Sequence, residues 1–199
     1  MNDFTICWLF SSIYFLFLLA SYGLNFLLPT IIKSLSTLFS NTQVGLIAMI
    51  PEIVGLIGLI WWARHSDQTG ERWVHAACSL TVAAVGLIGS FFAPNTFLAI
   101  TMISISFLGT FSFLGPFWAL LSMFFTESSA AVAIALVNSI GGLGGFFGPV
   151  LLGYLSQSQG LLLFSTVFLL SLIPLFILKK NAFRQELDQS NIESVNKAT

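Results

Sequence analysis

The sequence predicts an all-α integral membrane protein of six transmembrane helices, and three observations carry that prediction. Hydrophobic residues make up 56% of the 199 residues and charged residues only 8%, whereas a soluble domain carries roughly a quarter charged residues. Six stretches reach the about 20 mostly apolar residues that a bilayer-crossing helix needs. The segments between them are short and polar. A fold in water could not hide this much apolar surface, so the bilayer is the solvent.

The first predicted span runs from Ile6 to Ile32. It lacks a basic leader and, at about 25 residues, exceeds the roughly 7–15 of a signal-peptide core, so it reads as a retained helix. A Ser/Thr/Asn-rich loop from Ser34 to Thr42 follows, then a second span from Gln43 to Trp62. The segment from Arg64 to Arg72 is the most charged internal stretch and reads as a loop. The third span covers Trp73 to Ala93, and Pro94-Asn95-Thr96 makes a tight turn into the fourth, Phe97 to Met123. The fifth covers Ser129 to Leu155, and a short polar link leads into the sixth, Gly160 to Leu178. Residues 1–178 thus form one transmembrane domain. Residues 179–199 form a polar tail with too little apolar surface to fold alone, expected to be a frayed helix end followed by disorder.

Six spans put both termini on one side. That side carries Arg64, Arg72, Lys179, Lys180, Arg184 and Lys197, and the other carries only Lys33. The positive-inside rule then places both termini in the cytoplasm. Cys7 and Cys78 lie in apolar stretches without metal-ligand or redox spacing, so no metal or cofactor is expected. No basic patch suggests nucleic acid. No zinc-protease motif, nucleophile–base pair or phosphate loop points to an enzyme.

Four groups of residues carry possible chemistry. In WWARHSDQTGER, Asp67 is expected just past a helix end, Gly70 permits a tight turn, and Arg64 and Arg72 flank it. A carboxylate there can bond the start of the next helix and pair with an arginine, forming a latch that releases as helices move; the alternative is an ordinary charged loop. In the fifth span Gly141 and Gly145, and Gly144 and Gly148, are spaced for close helix contact, with Pro149 expected to bend the helix. The alternatives are packing alone or bending during function. Polar groups in the spans are scarce: Tyr22 and Asn25 near one face of the first helix, Trp118 in the fourth, Asn138 and Ser139 in the fifth. They suit a hydroxylated or carboxylated small molecule, or else interhelical bonds and packing. Glu52 is the only acid deep in a span, so it should be protonated, paired or facing water, as a proton relay or as a structural acid.

The runs YGLNFLLPTIIKSL, QVGLIAMIP, WARHSDQTGER, FLGPFWALLSMFF and AIALVNSIGGLGGFFGP occur in this order. They resemble the anion:cation symporter family of the major facilitator superfamily, whose bacterial members include tartrate, phthalate, galactonate and 4-hydroxyphenylacetate permeases. The resemblance covers nearly the whole chain, but only the last six of the family's twelve helices. Where the family has Asn between the glycines of the fifth helix this chain has Gly142, and Glu52 stands where a neutral residue is expected. The resemblance implies half of a transporter fold, built as two inverted three-helix repeats. By the same resemblance, the first and fourth helices line a central cavity, the second and fifth face the other half, and the third and sixth face lipid. Tyr22, Asn25, Trp118 and Asn138 become cavity candidates, and the fifth helix's glycines are expected to meet the other half.

The implied function is proton-coupled uptake of a small organic anion, a sugar acid or dicarboxylate, by alternating access in the cell inner membrane. The implied partners are lipid, the anion, a proton, and an N-terminal six-helix half or a second copy. No Lys or Arg lies deep in a span, so the half alone is expected not to transport. A split-gene or truncated remnant, or a non-transporting assembly partner, is the alternative.

Overall fold

A computed structural model describes residues 3–35, 39–125 and 127–184. It consists of six helices: α1 Asp3–Leu35, α2 Asn41–Thr69, α3 Arg72–Phe91, α4 Thr96–Phe124, α5 Glu127–Leu152 and α6, which begins Gln157–Leu170. α6 turns at Ser171 and continues as helix over 172–184, giving a span of Gln157–Arg184. Pro174 explains the turn: it has no N–H for the carbonyl of Leu170, and its ring crowds that carbonyl. All six are long and apolar enough to cross a membrane.

The helices outrun the apolar stretches that reveal them. α2 starts at Asn41 because Ser40 and Gln43 form a reciprocal capping box. It ends at Thr69, where Gly70 adopts a left-handed φ of 70° and its N–H bonds Ser66 O. The segment read as a loop from Arg64 is therefore helix as far as Thr69. Asp67 lies inside the last turn of α2 rather than beyond it. It does not cap α3, whose N-cap is Glu71 with no side-chain cap bond. Apolarity marks the part of a helix in lipid, and polar residues extend the same helix past the membrane surface. α6 likewise starts at Gln157, three residues before the expected Gly160, and takes in 179–184 of the expected tail. The rest of that tail, 185–199, lies outside the described residues.

α1 packs chiefly on α5, α2 on α4, α3 on α4, and α6 against both α3 and α1. Exchanging α1 with α4, α2 with α5 and α3 with α6 carries the α1–α5 contact onto α4–α2, and α3–α4 onto α6–α1. Successive helices alternate in direction, so each exchange pairs helices of opposite sense. The bundle is two inverted three-helix repeats.

Close backbone approach makes these contacts. Gly86 of α3 lies against Met102 and Ser106 of α4, and Gly109 of α4 lies against Ser79 and Ala83 of α3. There the Ser106 hydroxyl donates to Ala83 O at 2.8 Å, a buried interhelical bond. On α5, Gly144 meets the backbone of Phe15, and Gly148 meets that of Leu19 and Gly23, all on α1. Gly141 and Gly145 face the rings of Tyr14 and Tyr22, also on α1. This corrects the expectation that these glycines meet another half. Their spacing specifies a close neighbour, and the neighbour is α1 of the same chain.

In their most apolar stretches α2 and α5 bury only 22% of residues, against 50% for α1, α3 and α4 and 44% for α6. Leu46, Met49, Ile53 and Ile57 on α2, and Leu143, Phe146 and Phe147 on α5, are exposed. α3 and α6 keep half-exposed outer faces, with Val85, Ile173 and Phe176 outward.

Candidate functional site

Where α1 meets α4 the space is filled by aromatic rings. Phe17 lies 4.5 Å from Phe113, Phe10 5.7 Å from Phe117, and Tyr14 is stacked on Phe117 at 5.1 Å. Trp118 meets the edge of Tyr14 at 5.0 Å. These contacts align α1 and α4 in opposite directions, with Tyr14 and Trp118 at one depth. Gly141 lies against the Tyr14 ring, so Asn138, three residues earlier on α5, is within about one helical turn of that depth. Asn138 and Ser139 are both exposed and make no hydrogen bond among the described residues.

Tyr22 marks a second level. It is exposed, and a Cβ on Gly145 would be 3.3 Å from its ring. Eight residues separate it from Tyr14, about 12 Å along the helix. Asn25 is half-buried, and its amide donates to Ser21 O in its own helix at 2.9 Å. That leaves its oxygen as the group free to accept. Glu52 belongs near this second level. α2 runs parallel to α4, and Gly55 lies against Phe107 and Phe111, which precede the Phe113–Phe17 contact. That register sets Glu52 about level with Tyr22 and Asn25. Glu52 is half-exposed and forms no ion pair or hydrogen bond among the described residues.

The structure thus divides the sequence-predicted polar residues between two depths. Trp118, Asn138 and Ser139 share one; Tyr22, Asn25 and Glu52 share the other. Sequence reasoning missed Tyr14, whose ring is buried in the aromatic seam and whose hydroxyl makes no hydrogen bond within the described chain. The available signal was a tyrosine in an otherwise Phe- and Leu-rich span.

At the α2–α3 end, Arg72 holds the connection together. Its Nη1 donates to Ala119 O of α4 at 3.1 Å, and its Nη2 lies 3.6 Å from Asp67 Oδ1. The Ala119 carbonyl sits near the C-terminus of α4, where positive charge is favoured. Arg64 is exposed and takes no part. Next to this link is a cluster that sequence reasoning did not single out. Trp61 stacks on His65 at 5.8 Å, His65 meets His75 at 5.2 Å, and Trp62 Nε1 donates to His75 O at 3.1 Å. His75 Nδ1 lies 2.8 Å from Glu71 O, so it carries the proton, since a carbonyl only accepts. At the opposite end a cavity of about 620 Å³ opens between α1 and α2, lined by Pro29, Thr30, Lys33, Asn41 and Gly45. Lys33 Nζ donates to Asn41 Oδ1 there at 2.9 Å. Among the described residues no three His, Cys, Asp or Glu side chains group as a metal site would require.

Comparison with known proteins agrees with this architecture. A protein of Agrobacterium vitis named as a tartrate transporter is 37% identical over 139 residues, 70% of this chain and 30% of its own length. A "Quinolone resistance transporter" of Acinetobacter baumannii is 34% identical over 180 residues, 88% of this chain and 41% of its own. The "Inner membrane transport protein RhmT" of Escherichia coli (strain K12) is 30% identical over 179 residues, 87% of this chain and 42% of its own. The chain therefore spans less than half the length of these relatives. Residues 10–187 match the sequence profile described as "Major Facilitator Superfamily". With six membrane-crossing helices in two inverted repeats, the chain belongs to the Major Facilitator Superfamily of membrane transporters.

Proposed function

We propose that this chain is the C-terminal six-helix half of a transporter that carries a small organic anion, a sugar acid or dicarboxylate, into the cell together with protons. In this reading it sits in the cell inner membrane with both termini cytoplasmic. A second six-helix half, or a second copy, completes the cavity, and alternating access moves the substrate. The observation that carries the reading is the set of unpartnered polar groups left at two depths. Asn138 and Ser139 are exposed within about one helical turn of the depth of Trp118 and Tyr14, and the half-exposed Glu52 is about level with Asn25. Polar groups at membrane depth are costly unless they face a partner or a wet cavity.

In this account the amides and hydroxyls accept and donate to a hydroxylated carboxylate, and Glu52 is the proton carrier on this half. Arg72, Asp67 and the α4 carbonyl form the link that opens as the halves rock. The names of the tartrate-transporter relatives support the substrate class. The name of the quinolone-resistance relative points to a different cargo, so the class is tested directly. Co-expression with a matching first half should give uptake of labelled tartrate or galactonate that a protonophore abolishes. Uptake unaffected by the protonophore would remove the proton coupling. No uptake of any organic acid by the assembled pair would favour the rival reading, a non-transporting remnant or assembly partner. That rival draws on one observation: among the described residues no Lys or Arg sits deep in a span.

A further inference from the structure

The cavity of about 620 Å³ between α1 and α2 is lined by Lys33, the only cation at that end of the bundle among the described residues. Lys33 Nζ donates to the neutral Asn41 Oδ1 at 2.9 Å and forms no ion pair among the described residues. No Asp or Glu occurs between Asp3 and Glu52, and the α3–α4 and α5–α6 connections at the same end carry none. A basic residue in the last turn of α1 suits the helix dipole, but the dipole does not account for the space beside it or for the remaining ammonium donors. Thr30 is exposed there, and its hydroxyl makes no hydrogen bond among the described residues. The Asn41 amide nitrogen is likewise free to donate, since only its oxygen is engaged. A Cβ on Gly45 would meet nothing within 4 Å, so the cavity is open on its α2 side.

Two helix faces lead from this cavity to the polar groups deeper in the bundle. Tyr22, Phe26, Pro29 and Lys33 recur at spacings of four, three and four on α1, and Asn41, Gly45, Ala48 and Glu52 do the same on α2. Each set therefore lies along one face of its helix. The four on α1 are all exposed; on α2, Asn41 and Gly45 are exposed and Ala48 and Glu52 half-exposed. α1 and α2 run in opposite directions, and the Lys33–Asn41 bond sets their register. Eleven residues back along α1 and eleven forward along α2 cover about 16 Å each, and they arrive at Tyr22 and Glu52. The packing of α2 on α4 places Glu52 at the same level by an independent route.

We propose that this cavity is an anion-capture site at the outer mouth of the transporter. The Lys33 ammonium, the Asn41 amide and the Thr30 hydroxyl hold one carboxylate of an incoming hydroxy acid there, before it moves to the level of Tyr22, Asn25 and Glu52. The inference rests on the transport reading for its place on the route, while the binding itself requires only this chain. One ammonium facing water binds weakly, which suits a capture site, because its ligand must leave again toward the deeper groups. A cation without a nearby acid also raises the local concentration of anions and their rate of arrival. That gain fades as salt screens it.

The experiment uses the full chain purified in maltoside micelles and follows, by mass spectrometry, how fast an amine-acetylating reagent modifies each lysine. Sodium tartrate should slow the modification of Lys33 saturably at millimolar concentrations. The controls are sodium chloride at matched ionic strength and threitol, which carries hydroxyls without carboxylates. Lys179 and Lys180, at the other end of the bundle, should show no such protection. Asn41→Asp puts a carboxylate in the first turn of α2, a favourable place for it, so it should fold, pair with Lys33 and abolish the tartrate response. In the transporter assembled with a matching first half, Lys33→Gln should raise KM for tartrate uptake several-fold with kcat nearly unchanged and flatten its salt dependence. Lys33→Arg should restore both. If tartrate protects Lys33 no more than chloride does, or no more than it protects Lys179 and Lys180, the proposal is overturned, whether or not the assembled pair transports. An unchanged KM in Lys33→Gln would equally overturn the site's place on the route. Protection of Lys33 without uptake by any assembled pair would instead remove the transport reading and keep the anion site.

Discussion

Asn138 shows what a sequence can and cannot say about a site. Its identity and its place in a transmembrane segment mark it as a polar group needing a partner, and the structure leaves it exposed with none among the described residues. Its company could not be read in advance. Trp118 is within about one helical turn of its depth, whereas Tyr22 lies a level further on, about 12 Å along α1 from Tyr14, because depth depends on the register between α1, α4 and α5, which side-chain packing sets. In the assembled transporter, Asn138→Ala should weaken substrate binding by about 1–3 kcal/mol, the effect of leaving a buried polar partner unpaired. Asn138→Leu should be worse, and equilibrium binding of labelled substrate measures both. Normal binding by both variants would make Asn138 a packing residue. Glu52→Gln should leave insertion and expression nearly intact, since no ion pair within the described chain depends on its charge, while removing the dependence of uptake on the proton gradient. Loss of stable expression instead would make Glu52 a structural partner of another chain. At the other end the Arg72 link is unequal. Asp67 is 67% exposed and 3.6 Å from the guanidinium, and such pairs contribute about 0–1 kcal/mol. Arg72 also bonds a helix-end carbonyl, so Arg72→Ala should lower Tm more than Asp67→Asn does.

Helices were legible as elements because twenty apolar residues in lipid have almost one way to satisfy their backbone. Their ends were not, because the polar turns of α2 and α6 lie in the same helices as the apolar ones and only caps such as Ser40 and Gly70 stop them. Glycine spacing announced a close contact on α5 without naming the helix across it. The structure supplies α1, and it adds Gly86 and Gly109 between α3 and α4, whose wide spacing concealed them. A paired substitution separates these glycines from their neighbours. A Cβ on Gly144 would run into the Phe15 carbonyl, which belongs to the backbone and cannot rotate away. Gly144→Ala should therefore destabilise the bundle by about 1–3 kcal/mol, as overpacking does. Gly142 has nothing within 4 Å of its Cβ position, so Gly142→Ala should be neutral, or stabilising by up to about 1 kcal/mol through helix propensity. Thermal unfolding in detergent reads both, and equal losses would mean that α5 does not pack as described.

For the molecule as a whole, the least buried helices are α2 and α5, and the polar groups assigned to transport lie on α1, α2, α4 and α5. The lone basic residue at the α1–α2 end, Lys33, faces five described ones at the other. By the positive-inside rule, reporter fusions after Lys33 and Asn95 should therefore read outside, and one after Lys180 inside. A reading of outside at Lys180 would invert the assigned topology. The functional consequence is sharper. Alternating access requires a substrate site that two units enclose from opposite sides, and in the proposed reading this chain supplies one side of it. Asn138, Ser139 and Glu52 have no partners among the described residues, and no described cation stands at their depths to meet a carboxylate. An anion entering such a surface would lose its hydration without gaining an opposite charge, which is unfavourable at membrane depth. The purified chain in vesicles, given tartrate or galactonate and an inward proton gradient, should accumulate neither. Adding a matching first half, with a basic residue at the depth of Trp118 or Asn25, should start accumulation. Robust uptake by this chain alone would instead mean that two copies pair across α2 and α5 and enclose the substrate between identical Asn138 faces.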